Sequence, residues 1–481
     1  MKKITLFLFA MLLTAPVMRA ENIGVPAECE DVMLQCFYWD SYKPANGTTS
    51  KYGCTKWAML LSDTSAITEN FDLVWFPPSA KGGGVGYTHK QLSNQSSDWG
   101  QKSSLVSLIA ALHRGNTKVL ADIVINHRGN ATNWCDFEED RFGEGYGSFQ
   151  LLQTHICKGD ECFSTSGSTC YAAAKEERGN ADTGDNFDGA RDLDHTNAYV
   201  QEWAKAYVRW MLEVMKYDGF RYDMTLGFHG RYLKMYNEAS NPYLSVSELW
   251  HGIDRQKQHL QETEYNTMIF DFQQKYELHK AIVNGNYSLL KKNSNSFRGQ
   301  NLERYAVTFV DNHDTFERDG YGDNQFGGQY CDLSSATVKA NVLQAYAYIL
   351  SMPGVPCVFY PHWTSYKQEI NDMIAVRKKA GLHSQSQVLE ETSGSYAYSA
   401  TIQGHNRKVI VRLGKNRDMT IPAGYWKCVD GEHYSMYLEV GQGVDEIESP
   451  ESKLENKFIE NGQLYIRYGG QVYDATGKIV R

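Results

Sequence analysis

Three strand-like runs in this 481-residue chain end in charge: Gly219-Phe220-Arg221-Tyr222-Asp223, Leu244-Ser245-Val246-Ser247-Glu248 and Phe309-Val310-Asp311-Asn312-His313-Asp314. A carboxylate at the end of an apolar strand is costly to bury unless it has a task. Three such ends, far apart in the chain, are how a barrel enzyme gathers acids into one mouth. Two carboxylates suit a double displacement at a sugar carbon, one attacking and one moving the proton, while a third polarises the substrate. Asp223 follows Arg221 by two residues, so both side chains point to one face of the strand, and the guanidinium favours the ionised form a nucleophile needs. Glu248 sits between Leu-Ser-Val-Ser and Leu249-Trp250, an apolar setting that raises its pKa as a general acid requires. Each has a plainer reading: a structural Arg–Asp pair, a capping or surface Glu, a His313–Asp314 pair that only holds a loop.

The elements that must position these residues are legible as apolar runs of strand length: Val32–Phe37, Leu73–Phe76, Val119–Asn126, Gly219–Asp223, Tyr243–Glu248, Met268–Phe272, Ala306–Asp311 and Val355–Tyr360. Helical patterns such as Ser103–Arg114, Ala198–Tyr217 and Val338–Ser351 lie between them. Continuous apolar strands alternating with helices imply a parallel sheet covered on its outer face, and eight such units close a barrel. About seventy residues rich in Gly, Asp, Cys and Thr interrupt the rhythm after the third strand, a length that marks a functional loop or a small subdomain. After Arg377 short strands such as Tyr396–Ile402 and Val409–Leu413 predict an all-β domain. The expected fold class is therefore α/β: a TIM (β/α)8 barrel with an inserted loop-rich subdomain after strand 3 and a C-terminal antiparallel β domain. The expected bounds are 1–20 for a signal peptide, 21–127 and 193–380 for the barrel, 128–192 for the insertion, 381–441 for the β domain, and 442–481 for a linker and tail.

Hydrophobic residues make up 42% of the chain, which supplies a large core and excludes global disorder. The aromatic share is 13%, with 31 Tyr and 10 Trp, which suits a protein that stacks sugar rings, although core filling accounts for most aromatics in any protein. Lys2 and Lys3, the apolar stretch Leu6 to Leu13 and Ala20 before Glu21 read as a secretory signal, with Met18 departing from the small residue expected three before the cut. Removing Lys2, Lys3 and Arg19 takes the formal charge from −9 to −12, which argues against nucleic acid or anionic lipid as a partner. No later run is long enough to span a bilayer. Ten cysteines fit an exported protein, and Cys135, Cys157, Cys162 and Cys170 fall in the irregular stretch, where one or two disulfides are expected. A zinc site is the alternative there, on poor spacings. Cys36 and Cys357, in apolar runs, read as buried and inert.

Asp122-Ile-Val-Ile-Asn126-His127-Arg128, Gly219-Phe-Arg221-Tyr-Asp223, Ser247-Glu248-Leu249-Trp250 and Phe309-Val-Asp311-Asn312-His313-Asp314 resemble, in order, four signatures of the α-amylase superfamily of glycoside hydrolases. Asp192-Leu193-Asp194 resembles a fifth, and Ala121–Arg128 and Pro353–Gly381 look most like plant-type and related bacterial α-amylases. The resemblance implies a retaining hydrolase acting on internal α-1,4 bonds of starch, glycogen or maltooligosaccharides, with Asp223 as nucleophile, Glu248 as acid/base and Asp314 stabilising the transition state. It implies substrate contacts from Arg221, His127 and His313, and stacking by Tyr87 on the ring at the cleavage point. It also implies a structural calcium ion (Ca2+) held by Asn126, Asp182, the Asp185 carbonyl, Asp192 and the Gly227 carbonyl; oxygen donors on a flexible loop suit that ion better than zinc. A solvated acidic loop is the plainer reading. One departure stands out: Leu226 occupies the place of a Lys that in many relatives holds the leaving-side sugar. The loop Pro361-His-Trp-Thr-Ser-Tyr366 is also short.

Ile459–Arg467 followed by Gly470–Lys478 looks like the C-terminal sorting segment of Bacteroidetes proteins that use type IX secretion, so a periplasmic, outer-surface or released protein is expected, as a monomer. A hairpin closing the β domain is the alternative. Two rival functions stay open at this level. One is a maltooligosaccharide- or pullulan-acting hydrolase or transglycosidase of the same superfamily; the other is a non-catalytic starch-binding protein.

Overall fold

Each of the eight apolar runs holds a strand, and apart from Lys118, which opens the third, every strand residue is buried. The computed structural model describes residues 22–43, 51–292, 295–316, 330–415, 420–441, 455–460, 463–468, 471–474, 478 and 480. The strands are β1 Met33–Gln35, β2 Leu73–Trp75, β3 Lys118–Ile123, β4 Gly219–Tyr222, β5 Ser245–Ser247, β6 Met268–Phe270, β7 Ala306–Phe309 and β8 Val355–Phe359. Each pairs in parallel with its neighbour in the chain, and β8 closes onto β1 with Cys357 opposite Met33. Side chains inside the barrel meet the core and those outside meet helices, so neither face of a strand needs polar residues. This is why the runs lack alternation.

Register sets the site. Asp122 on β3 lies opposite Arg221 on β4, and Tyr222 lies opposite Ser247 on β5, so Asp223 and Glu248 leave adjacent strands at one height. The helix over Ala198–Glu213 is capped by Asn197, whose side chain accepts the Tyr199 N–H. It stops four residues short of the expected Tyr217, because the Met215 N–H returns to the Trp210 carbonyl and Lys216 takes a left-handed φ of 68°.

The insertion has little regular structure. A hairpin pairs Asp140–Gly143 with Gly147–Phe149, turning through Gly143, Gly145 and Gly147, all at positive φ. Its Asp140 forms a fully buried ion pair with Arg128 at 3.0 Å. One disulfide, Cys135–Cys170, closes the loop, while Cys157 and Cys162 are buried thiols. The sulfurs of Cys135, Cys162 and Cys170 lie within 4.8 Å of one another, but two of them are joined, which leaves a single thiol where zinc needs four ligands. Cys36 and Cys357 are buried thiols as well.

Five antiparallel strands follow the barrel: β9 Gln387–Ser393, β10 Ala397–Gln403, β11 Lys408–Gly414, β12 Tyr425–Gly431 and β13 Tyr434–Glu439, in the order β9-β10-β11-β13-β12. Arg298 clamps Glu391 of this sheet at 2.6 Å. Three further strands, β14 Glu455–Glu460, β15 Gln463–Tyr468 and β16 Gln471–Asp474, pair in sequence as antiparallel neighbours. All three lie within the stretch 442–481 expected as linker and tail. The signal segment 1–20, most of the linker (442–454), and Gly469, Gly470 and Gly477 of the tail lie outside the described residues. No helix among the described residues is long and apolar enough to cross a membrane.

Candidate active site

Arg221 is the centre of the barrel mouth, with 1% of its surface exposed. Its Nη1 reaches Asp122 Oδ1 at 2.9 Å and Asp223 Oδ1 at 2.6 Å, while Nη2 reaches Glu248 Oε1 at 2.9 Å. Three carboxylates from three adjacent strands therefore share one cation. That changes the expectation for Asp223. Burial pushes its pKa up despite the guanidinium, because Arg221 is divided among three acids and Asp314 adds repulsion. Burial likewise raises Glu248 to about 7, with Arg221 opposing and Asp223 and Asp314 reinforcing, as its apolar setting predicts. Asp122 is also raised to about 7 by burial, yet all its neighbours donate to it: Arg221, the Trp75 indole N–H at 3.1 Å and the Tyr87 hydroxyl at 3.0 Å. A protonated Asp122 would point its own O–H at a donor, whereas Glu248 also has the Asp223 carboxylate beside it to accept a hydrogen bond, so the shared proton is better held on Glu248.

Backbone strain helps to place that acid. Met224, directly after Asp223, adopts φ 45°, a conformation costing roughly 1–3 kcal/mol in a non-glycine residue. The turn aims the Met224 N–H at Glu248 Oε2 (3.1 Å), and the Thr225 hydroxyl then holds the Glu248 carbonyl at 2.7 Å.

The opposite wall carries Asp314, whose side chain is 23% exposed. Asn312 Oδ1 accepts the N–H groups of Asp314 and Thr315 and fixes the turn after β7. The Gln35 amide donates to His313 Nδ1 at 2.9 Å, which leaves the proton on Nε2, 2.7 Å from the Tyr87 hydroxyl and 3.1 Å from Asp314. Trp39, Tyr87 and His313 lie nearly parallel, within 14° of one another. His127 stays neutral, since burial lowers its pKa to about 4. Its Nε2 is engaged by the Tyr87 carbonyl at 3.0 Å and its ring rests on Phe187. Of the residues expected to contact substrate, Tyr87 and His127 line a cleft of about 320 Å³ together with Asp223, Glu248 and Asp314, while Arg221 and His313 stand directly behind.

The five residues expected around an ion also converge. Asn126 Nδ2 meets Asp192 Oδ1 at 3.3 Å, and the Phe187 N–H meets Asp192 Oδ2 at 2.9 Å. A Cβ on Gly227 would sit 2.0 Å from Asn126 Oδ1, so the amide lies directly on that backbone and only glycine fits. The Asp185 N–H donates to the Leu226 carbonyl, one residue before Gly227, while its side chain is exposed. Asp192 is pushed up to about 8 by burial, with Asp182, Asp160 and Glu161 adding repulsion, and burial raises Asp182 too. Oxygen donors with mutually repelling carboxylates fit a hard divalent cation.

Sequence reasoning passed over Asp122, Gln35, Trp39 and Trp250. For Asp122 the signal was present: an acid inside the apolar run Val-Leu-Ala-Asp-Ile-Val-Ile needs buried partners. The aromatics carry no comparable mark, since a Trp at a strand end reads equally as core.

No protein-family model matches the chain. It is 29% identical over 430 residues to probable alpha-amylase 2 of Arabidopsis thaliana, covering 85% of this chain and 94% of that one. It is 35% identical over 139 residues to the alpha-amylase type B isozyme of Hordeum vulgare, covering 28% of this chain and 80% of that one. Its fold is similar to that of the alpha-amylase from Geobacillus thermoleovorans solved with acarbose, with a TM-score of 0.60 at 12% identity over 86% of this chain and 99% of that one.

Proposed function

Because this chain belongs to the α-amylase superfamily of glycoside hydrolases, we propose that it cleaves internal α-1,4 bonds of starch, glycogen and maltooligosaccharides with retention of configuration. The observation that carries this reading is the Arg221 guanidinium, which bonds Asp223 through one nitrogen and Glu248 through the other. Two acids on one guanidinium are close together, which suits the ~5 Å carboxyl spacing of retaining enzymes better than the ~6.5–9.5 Å of inverting ones.

In the first step Asp223 attacks the anomeric carbon while Glu248, whose raised pKa keeps the acid form populated up to about pH 7, gives its proton to the leaving oxygen. In the second, Glu248 takes a proton from water, whose oxygen displaces the Asp223 carboxylate. Asp314, more exposed than the other two, accepts from hydroxyls of the reacting ring and favours its oxocarbenium-like form. The Gln35–His313–Tyr87–Asp122 chain fixes the ring plane on which that sugar stacks. A calcium ion held by Asn126, Asp192 and the Asp182–Asp185 loop would act structurally, fastening the insertion to the barrel. Export fits the basic and apolar leader of residues 1–20, the disulfide and the tail resembling a sorting segment.

The test is product analysis on soluble starch for the wild type and Asp223→Ala. Fast loss of iodine colour, mixed oligosaccharides that are α-configured at first release, and no activity in the variant are expected. Binding without new reducing ends, or β-configured products, would refute the reading.

A further inference from the structure

Behind the wall that carries Asp314 lies a buried ion pair for which the reaction steps above have no use. Lys275 and Asp311 are each 2% exposed, and the Lys275 ammonium stands 3.6 Å from Asp311 Oδ1. Lys275 comes from the helix Phe272–Val283, and Asp311 follows β7 by two residues. Neither is among the described residues that line the cleft.

Asp311 is the first link of a chain that ends at Asp314. The Thr315 hydroxyl donates to Asp311 Oδ1 and accepts the Asn312 N–H at 3.1 Å. Asn312 Oδ1 in turn accepts the N–H groups of Asp314 and Thr315 at 3.0 and 2.8 Å. An ionised Asp311 can only accept from Thr315, which fixes the direction of that hydroxyl; a protonated one brings a competing donor. Burial pushes Asp311 up to about 6, with Lys275 opposing. Among the described residues Asp311 Oδ2 has no hydrogen-bond partner, so the ammonium is needed to balance the buried charge.

We infer that Lys275 is a positioning residue for Asp314: its ammonium balances the Asp311 charge, and Asp311, through Thr315 and Asn312, holds the turn on which Asp314 stands. This rests on the reading above that Asp314 favours the oxocarbenium-like form of the reacting ring. A group that acts in the transition state is sensitive to small shifts, and a displacement of ~1 Å costs about 10²-fold in rate. Lys275 thus bears on the chemical step without touching the sugar.

The experiment measures kcat and KM on α-maltosyl fluoride, at a temperature where circular dichroism shows each variant folded. Lys275→Met is expected to lower kcat by about 10–100-fold with KM within about twofold, because the lost help is felt only in the transition state. In an Asp314→Asn background the same change is expected to cost less than about threefold, since effects that act through one group do not multiply. A full further loss there marks Lys275 as a structural residue and overturns the inference, as does an unchanged kcat in Lys275→Met. Where Lys275→Met does not fold, the Lys275→Met/Asp311→Asn pair removes both charges and keeps an oxygen for Thr315. Its kcat is expected to exceed that of Asp311→Asn, which strands the ammonium; a kcat no higher overturns the inference and leaves starch hydrolysis standing. A wild type that leaves both the fluoride and starch intact overturns the underlying assignment instead.

Discussion

Replacing Glu248 with Gln separates the acid from everything else it does. Burial raises this carboxyl from 4.5 to about 7, so at pH 6 it is protonated in about ten molecules of eleven, against about one in thirty for an unshifted glutamic acid. The alkaline limb of starch hydrolysis should therefore fall through pH ~7, where the proton needed by the leaving oxygen is lost. Gln keeps the shape and the Arg221 contact, but turns an amide donor toward the Met224 N–H, a clash costing roughly 1–3 kcal/mol. The fold should survive. Loss of proton transfer should lower kcat on starch by about 10²–10⁴. On α-maltosyl fluoride, whose leaving group needs no proton, the first step should keep most of its rate and lose its alkaline limb. Stopped-flow measurement of fluoride release across pH 5–9 reads both. A limb near pH 7 persisting in the variant, or a loss on starch smaller than tenfold, would refute the assignment.

Asp122→Asn should be disproportionately harmful for so small a change. Three donors surround that carboxylate, and an amide can accept from only one side, so a loss of about 2–4 kcal/mol in chemical denaturation and a fall in kcat are expected. Glu248 and Asp271, each raised to about 7, and Asp192, raised to about 8, contribute stability that is full below their unfolded pKa values near 4 and is lost as pH rises through 7 to 8. Scanning calorimetry in chelator should thus show a melting temperature that falls from pH 5 to pH 8. Calcium should restore much of it at pH 8, and Asp192→Asn should abolish the calcium response; a melting temperature indifferent to both pH and calcium would contradict the ion assignment.

The barrel was legible because a strand buried on both faces leaves an unbroken apolar run, and each of the eight runs in Val32–Tyr360 holds a strand. The insertion was not, because its order comes from contacts that have no period: a hairpin turned by glycines at positive φ, a buried Arg128–Asp140 pair and a disulfide. The acids at strand ends were readable one strand at a time. How they share charge was not. Spacing within β4 pairs Arg221 with Asp223, but the register between β3, β4 and β5 brings Asp122 and Glu248 onto the same guanidinium, and so reverses the direction expected for Asp223.

The two-residue ladder between His127–Arg128 and Arg191–Asp192 puts His127, a wall of the cleft, directly across from Asp192, a member of the proposed ion site. Asn126 sits one residue before that rung and bonds Asp192 as well. An ion and a glucan that both shift this rung would have coupled binding free energies, and the coupling would be reciprocal: a glucan that tightens ion binding by some factor must itself be bound tighter by that factor when the ion is present. Ambient calcium would then act as a gain control on glucan affinity without approaching the bond that breaks.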